Sequence, residues 1–259
     1  MNGDLVQAAL LGALQGATEF LPVSSSGHLV VVPALLGWDV PPLVFDALIH
    51  LATAFSALLY FRADWIGMAR NQGGGFRSLW LLGLATIPAV VVGVLFEHQI
   101  AAMFQSPRAA AAQLWLTAAI LVAAEVLTRR RSGATAEVNE ARALAIGTAQ
   151  AAAIIPGISR SASTIAVGML TGLDRSTAAR FGFLMVPPVL LGAGFYELAG
   201  ALWRNPETTD WAAIVVGSVS AFVVGYLSIR WFMGWIATRT LMVFAAYTAL
   251  LGTIGVLFL

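Results

Sequence analysis

Long apolar runs recur along this chain of 259 residues, and they constrain its fold more than any other feature. A helix needs about 20 apolar residues to cross the hydrocarbon core of a bilayer. Only 10% of the residues are charged, against about 25% in soluble domains. No alternation of period two suggests a barrel, so the sequence predicts an all-α, polytopic membrane helix bundle. Six runs are predicted to span the membrane, at about 43–61, 79–96, 111–128, 180–201, 211–229 and 240–259.

Two further apolar segments are interrupted. The first covers residues of about 5–37 and breaks at Leu21–Ser24, and the second covers about 143–172 and breaks at Pro156–Ser161. Pro22 lacks an N–H and biases the preceding residue out of the helical region, whereas Ser24 is a good N-cap. Each segment is therefore predicted to be a re-entrant helical hairpin, because broken backbone at membrane depth must face protein or a water-filled cavity.

The two hairpins resemble each other in sequence, which predicts an internal repeat. Gly12–Gln15 matches Gly147–Gln150, and in both cases a proline and a serine-rich turn follow. Each half continues with three spans, so the second half enters the membrane from the opposite face, as in inverted-topology repeats. We therefore expect one membrane domain over residues 1–259, with halves of about 1–128 and 143–259 joined by a loop at 129–142.

The arginines predict the orientation. If the loops at 62–78 and 129–142 are cytoplasmic, the positive-inside rule is satisfied strongly, and the first hairpin enters from the outer side. The arginines inside are then Arg62, Arg70, Arg77, Arg129, Arg130, Arg131, Arg142, Arg175, Arg180, Arg230 and Arg239, against Arg108 and Arg204 outside. No basic patch for nucleic acid is present. The absence of cysteine excludes disulfides and thiolate catalysis.

Charged and polar groups at the two hairpin breaks predict an anion site near the midplane. Arg160 is expected to meet Glu19, Ser25 and His28 there, because broken helices of inverted repeats gather their polar groups at that depth. Helices restarting near Ser24 and Ser159 would aim their N-termini at a phosphate or diphosphate. Glu19 is a candidate ligand for a divalent cation, since Mg²⁺ takes one or two carboxylates plus substrate phosphates. Further candidate contacts to the substrate are Ser24, Ser26, Gly157, Ser159, Ser161 and Thr164.

The spacing of Ser25 and His28 leaves two interpretations. Residues three apart share a helix face, as a hydroxyl nucleophile and its general base do. A serine run at a helix start is also a common cap, and His28 could be a buried structural histidine. In the alternative chemistry, His28 or Glu19 activates water directly and Ser25 only binds the substrate.

Other polar residues have weaker signals. Asp46 and His50, four apart, could line the cavity or form a simple i,i+4 pair, and Gln15, one turn before Glu19, could contact substrate or hydrogen-bond within the hairpin. Glu125 and Glu197 lie near span ends and are expected to extend towards the interface. Asp174 and Arg175 are expected in a solvated turn, with Asp174 as a helix cap.

At these motifs the chain resembles the bacterial undecaprenyl-diphosphatases, the membrane phosphatases linked to bacitracin resistance. The motifs are Gln15–His28, with sequence QGATEFLPVSSSGH, and Pro156–Thr164, with sequence PGISRSAST, followed by Gly172–Arg175. The resemblance implies a protein of the bacterial cytoplasmic membrane, which removes the terminal phosphate of a C55 polyprenyl diphosphate and recycles the carrier for envelope glycan synthesis. It also implies a divalent cation, Mg²⁺ or Ca²⁺, and a site built from Glu19, Ser25, His28 and Arg160.

The chain departs from the family pattern at three positions: Gln15 stands where glutamate is common, Ala162 where glycine is common, and His50 where many members have glutamine. The competing prediction is a transporter, because an inverted repeat with broken helices is also transporter architecture. Membrane lipids and the lipid substrate are the expected partners, and the sequence leaves a homo-oligomer open.

Overall fold

The computed structural model describes residues 5–39, 42–129, 137–204 and 210–259, without the side chains of residue 101 and residues 201–204. These parts of the chain form α-helices joined by short turns, and the described residues contain no strand. The helices are α1 Leu5–Phe20, α2 Ser25–Leu36, α3 Leu43–Tyr60, α4 Arg62–Ala69, α5 Gly75–Leu95, α6 Glu97–Met103, α7 Pro107–Thr128, α8 Glu140–Ala152, α9 Arg160–Leu170, α10 Arg175–Leu184, α11 Val186–Arg204, α12 Trp211–Ile236 and α13 Met242–Phe258.

Five segments are long and apolar enough to cross a bilayer, which confirms a multi-pass helical membrane protein. They are Leu43–Tyr60, Gly75–Leu95, Pro107–Thr128, Arg175–Gly200 and Trp211–Ile236. The sixth predicted span corresponds to α13, which is apolar and has 17 residues.

Both predicted helix breaks are present, and both have the predicted caps. In the first, Ser24 ends the turn after α1 and accepts a hydrogen bond from the Gly27 N–H at 3.2 Å. In the second, Ser159 accepts from the Ala162 N–H at 3.1 Å at the start of α9. A capping hydroxyl accepts from one of the backbone N–H groups that the first turn of a helix leaves unpaired. A new helix therefore begins directly after each capping serine, α2 after Ser24 and α9 after Ser159.

Three predicted boundaries are wrong. The predicted loop at 62–78 contains α4 and the start of α5, and Asp64 of α4 forms an ion pair with Arg180 of α10. The predicted polar connection after residue 96 contains α6 and the start of α7, where Ser106 caps the helix and Pro107 occupies its first turn. The predicted span at 180–201 begins earlier, at α10, and is interrupted at Met185 before α11. The predicted helices were too short because polar residues near helix ends were interpreted as loop. Capping residues and a proline in the first turn in fact favour the start of a helix.

Residues 130–136 of the predicted loop 129–142, with Arg130 and Arg131, lie outside the described residues, as does the side chain of Arg204. The end of that loop is already helical, because Asn139 caps α8 by accepting from the Arg142 N–H at 3.0 Å.

Glycines let the first arm of each hairpin approach a spanning helix closely. α1 packs along α12, where the backbone of Gly217 leaves no room for a Cβ at Gly12. α8 packs along α5, where the backbone of Ala85 lies equally close to Gly147. Gly12 and Gly147 are the matching positions of the two repeat motifs, so small residues at interfaces perform the same role in both hairpins.

Glu125 does not extend to the interface as expected. Its carboxylate accepts two hydrogen bonds from Arg175, at 2.5 and 2.6 Å, and one from the Leu241 N–H at 2.6 Å. Arg175 is therefore not merely in a solvated turn: the pair joins α7, α10 and the start of α13 at one end of the bundle. Paired, bidentate geometry makes such a contact stronger than a surface ion pair.

Asp174 caps α10, as predicted. Its carboxylate accepts from the Thr177 N–H at 2.9 Å. Although partial burial alone would raise it, the pKa of Asp174 is lowered by hydrogen bonds from Thr177 and from neighbouring backbone amides.

Candidate active site

The tips of the two hairpins touch. A Cβ built on Gly27 would lie 3.1 Å from the Cα of Gly157, and the Ser161 hydroxyl donates to the Leu21 carbonyl at 2.9 Å. Gly157 has a φ of 87°, a conformation that favours glycine, and a Cβ at this position would collide with the backbone carbonyl oxygen of Ala110. The contact brings the start of α2 and the start of α9 into one polar cluster.

Glu19 is the centre of this cluster. The residue is 6% exposed, and its Oε2 accepts from the Ser25 hydroxyl at 2.6 Å and from the Gln15 amide at 3.0 Å. Its Oε1 accepts from the Arg160 guanidinium. A buried carboxylate is costly unless it is paired and hydrogen-bonded, and here three donors satisfy it.

Arg160 contacts Glu19 although the two residues are 141 apart in sequence, as the inverted repeat predicts. The arginine side chain is 16% exposed and that of Glu19 is 4% exposed, so the guanidinium lies on the more open side of the pair. An arginine fork also matches phosphate oxygens. The geometry therefore allows an entering anion to bind Arg160 while the Ser25 hydroxyl keeps its hydrogen bond to the Glu19 carboxylate.

In the described structure His28 makes no hydrogen bond to Ser25, and its two ring nitrogens face other partners. The histidine is fully buried, its Nδ1 lies 2.7 Å from the Ser24 carbonyl, and its Nε2 lies 2.8 Å from the Tyr247 hydroxyl. Residues three apart do share a helix face, but the side-chain rotamer turns this ring back along the preceding turn. Of the two candidate bases, Glu19 is the one in hydrogen-bond contact with the Ser25 hydroxyl.

Thr117 of α7 supports the second turn and was not singled out from sequence. Its hydroxyl accepts from the Ser159 N–H at 2.8 Å and donates to the Gly157 carbonyl at 2.7 Å. Thr117 is fully buried in a membrane-spanning helix. A polar residue in such a segment can indicate a functional contact, because polar groups inside the membrane require hydrogen-bond partners.

The remaining serine and threonine hydroxyls also make local contacts at the starts of α2 and α9. Ser24 and Ser26 are paired at 3.3 Å, and Ser159 and Ser161 are paired at 3.1 Å, which repeats the same contact in both hairpins. Thr164 donates to the carbonyl of Arg160 at 2.9 Å. These contacts shape the two helix starts that border the cluster.

Asp46 and His50 form an i,i+4 pair on α3, with Nδ1 3.6 Å from the Asp46 carboxylate. His50 is joined to the cluster through Thr53, whose hydroxyl donates to the His50 carbonyl at 2.7 Å and lies 3.5 Å from the Gln15 amide nitrogen. Thr53 is another buried threonine that sequence reasoning missed. The structure therefore connects α3 to Glu19 through Gln15 and Thr53.

The donor set does not fit a divalent cation held by the protein alone. Glu19 is the one carboxylate in the described cluster, and Arg160, Ser25 and Gln15 already donate to it. Nowhere in the described chain do three or more acidic or histidine side chains come together as a metal site. Mg²⁺ and Ca²⁺ prefer several oxygen ligands, and an adjacent guanidinium opposes a second positive charge.

Comparison with known proteins supports the residue-level resemblance. Residues 8–254 match the family described as "Bacitracin resistance protein BacA". Proteins named "Undecaprenyl-diphosphatase" are similar over almost their whole length. That of Chlorobaculum tepidum is 38% identical, with 96% of this chain and 95% of the relative covered. That of Elusimicrobium minutum is 39% identical, with 96% of both covered. That of Kineococcus radiotolerans is 40% identical, with 95% of this chain and 91% of the relative covered.

Proposed function

Because this chain belongs to the bacitracin resistance protein BacA family, we propose that it is an undecaprenyl-diphosphatase. The reaction converts undecaprenyl diphosphate into undecaprenyl phosphate and inorganic phosphate, and so returns the lipid carrier to envelope glycan synthesis. One observation carries the proposal at residue level: the Ser25 hydroxyl donates to Glu19 at 2.6 Å while Arg160 pairs with the same carboxylate. The cluster thus contains a nucleophile, Ser25, a general base, Glu19, and a positively charged side chain that can bind an anion, Arg160.

The diphosphate is recognised by positive groups that converge on the hairpin tips. Arg160 offers a planar fork to phosphate oxygens, and the first turns of α2 and α9 contribute backbone N–H groups and the positive ends of their helix dipoles. When the terminal phosphate binds Arg160, the guanidinium is shared with the ligand. Glu19 is then less strongly paired and better able to accept a proton.

In the first chemical step, Ser25 Oγ attacks the terminal phosphorus. Its proton passes to Glu19, an Oγ–P bond forms, and the bond from that phosphorus to the bridging oxygen breaks, which releases undecaprenyl phosphate. In the second step, the oxygen of a water molecule attacks and bonds to the phosphorus of the phosphoserine, and the Oγ–P bond breaks. Glu19 returns its proton to Ser25 Oγ, and inorganic phosphate leaves with both hydrogens of the water. Glu19 exchanges the proton at each step, and Arg160 stabilises the developing negative charge.

A divalent cation, Mg²⁺ or Ca²⁺, is proposed to reach this site only together with the diphosphate. Glu19 would supply one oxygen, and the phosphates would supply the others. Because Arg160 already pairs with this single carboxylate, the negative charge that offsets a divalent cation would have to come from the phosphates.

We also propose the finer architecture: six spans and two re-entrant hairpins in an inverted repeat, in the bacterial cytoplasmic membrane, with the site open to the outer side. The packing between the halves supports this architecture, because the first arm of each hairpin packs on a helix of the other half. α1 of the first half lies on α12 of the second, and α8 of the second half lies on α5 of the first. The paired caps Ser24 and Ser159 support the same symmetry. Orientation follows from the arginine distribution.

The proposal is tested with purified full-length protein in detergent and a polyprenyl diphosphate carrying a labelled terminal phosphate. We expect release of labelled phosphate and, after acid quenching, label on Ser25. Ser25→Ala should lose both, whereas Ser218→Ala on α12 should keep both. Phosphate release by Ser25→Ala at the wild-type rate would overturn the covalent route. Absence of release by the wild-type protein, combined with translocation of a lipid phosphate in vesicles, would instead favour a transporter.

A further inference from the structure

His28 has two partners, and neither of them is the nucleophile. A backbone carbonyl can only accept, so the Nδ1 that faces the Ser24 carbonyl at 2.7 Å carries the proton. Nε2 then accepts from the Tyr247 hydroxyl at 2.8 Å, and the two rings are stacked with centroids 5.6 Å apart. Tyr247 thereby selects the tautomer that donates to Ser24.

Ser24, which receives this hydrogen bond, has unfavourable backbone geometry. Its φ is 74° and its ψ is 97°, and Ser24 and Asn71 are the non-glycine residues with positive φ in the described chain. A β-carbon makes such a conformation costly, and it persists only where surrounding contacts hold it. The matching cap of the second hairpin, Ser159, has an ordinary φ of −73°. The strain is therefore specific to the turn that carries Ser25.

We propose that Tyr247 and His28 are positioning residues, and that they hold the strained Ser24 peptide so that the Ser25 hydroxyl points at Glu19. The inference rests on the proposed phosphatase reaction. The Ser24 carbonyl accepts from the His28 ring and from the His28 backbone N–H at 3.1 Å, so two bonds from one residue fix this peptide. The next residue along the chain is Ser25, and its Oγ lies 2.6 Å from Glu19.

This arrangement also joins the two halves of the chain at the nucleophile. His28 is on α2 of the first hairpin, and Tyr247 is on α13, 219 residues later. The histidine ring is completely buried. It contacts Ser24 on one side and Tyr247 on the other, so within the described contacts it has no free nitrogen with which to deprotonate Ser25.

The first test separates a positioning histidine from a general base. The amide nitrogen of asparagine occupies nearly the place of Nδ1 and can donate to the Ser24 carbonyl, but it cannot act as a base. We expect His28→Asn to keep kcat within about tenfold of the wild type, and His28→Leu to lose about 100-fold, with little change in KM, since small misplacements of reacting groups cost rate of this order. Equal loss in both variants would overturn the proposal.

A second test uses rescue. Glycine adopts positive φ without strain and is nearly as good an N-cap as serine. Ser24→Gly combined with His28→Leu should therefore recover at least about tenfold in kcat relative to His28→Leu alone. Failure of the rescue would overturn the proposal, because it would show that His28 does more than hold the Ser24 backbone.

Tyr247→Phe supplies a milder change in case His28→Leu does not fold. It keeps the stacked ring and removes the hydroxyl, so kcat should fall about threefold to tenfold with KM unchanged. Tyr226→Phe on α12, whose ring contacts Tyr60, is the matched control and should leave both constants unchanged. Unaltered kcat in Tyr247→Phe would overturn the assignment of Tyr247. Loss of wild-type phosphate release is a separate outcome, which would contradict the proposed function itself.

Discussion

At the scale of single residues, Glu19 joins three helices of the candidate site. It accepts from Gln15 of its own helix, from Ser25 of the next helix, and from Arg160 of the opposite hairpin. Because a carboxylate in this position can both pair with an arginine and accept a proton, its replacement affects binding and chemistry together.

Glu19→Gln should lower kcat for phosphate release by about 10²–10⁴, the usual contribution of a general acid–base group. The amide has nearly the same shape, but it accepts no proton and leaves the partly buried Arg160 without its ion pair. Glu140→Gln makes the same chemical change at an exposed residue that is 3.7 Å from Arg77. It should have wild-type activity, and activity of Glu19→Gln close to this control would contradict the assigned role.

Asp174 provides a prediction about stability and pH. Asp174→Ala removes the cap of α10 and should cost about 0.5–2 kcal/mol of stability near neutral pH. Because the folded pKa of Asp174 lies below its ordinary value of about 4, the ionised form stabilises the fold. That contribution is complete above the ordinary pKa and disappears as the pH falls through the lower folded pKa.

Thermal unfolding in detergent, followed by tryptophan fluorescence, measures this. The difference in Tm between wild type and Asp174→Ala should be constant above about pH 5 and shrink towards pH 3. Asp39→Ala, at an exposed position after α2, is the control and should show no such difference. A difference that grows as the pH falls would have the wrong sign for this mechanism.

At the scale of secondary-structure elements, the two hairpins depend on close helix contacts, and those of α1 position Glu19. A Cβ on Gly16 of α1 would lie 2.5 Å from the Ala221 carbonyl oxygen and 2.7 Å from the Gly225 nitrogen of α12. Backbone atoms cannot move aside as a flexible side chain can, so α1 would have to shift. Glu19 lies less than one turn further along this helix.

Gly16→Ala should therefore destabilise the protein by about 1–3 kcal/mol, the usual cost of overpacking, and should also lower kcat. Gly83→Ala is the matched control, because a Cβ there meets nothing within 4 Å. Alanine is the better helix former, so Gly83→Ala should be as stable as wild type or slightly more stable. Thermal unfolding and phosphate release measure the two effects, and equal behaviour of the two variants would contradict the packing argument.

The helices themselves were largely predictable. Apolar length and the proline and serine signals at residues 22–24 and 156–159 predicted both breaks. The helix over Arg62–Ala69 was not predicted, because it is short and polar at one end; in the structure its Asp64 pairs with Arg180. The sequence pattern around Asp64 gives no information about a partner that lies 116 residues away along the chain.

At the scale of the whole molecule, the proposed orientation puts the first hairpin, its connection to α3 and the site on the outer side. The chain has no cysteine, so a single introduced cysteine reports its own location. Asp39→Cys, after α2, should react with a membrane-impermeant thiol reagent applied to intact cells. Gln72→Cys, between α4 and α5, should react only after the membrane is opened. Both residues are exposed, and the reverse pattern would invert the topology.

The sequence by itself determined the membrane class, the two interrupted segments and the family, because these depend on hydrocarbon thickness, local backbone chemistry and contiguous motifs. It also placed Arg160 with Glu19, since burying either charge alone is too costly and the repeat predicts where they meet. Only the tertiary structure decided which side chain contacts the Ser25 hydroxyl. Helical spacing put His28 on the correct face, but Tyr247 and the Ser24 carbonyl hold its ring, and Glu19 receives the serine instead. Side-chain direction is determined by partners distant in sequence, and those exist only once the two halves have packed.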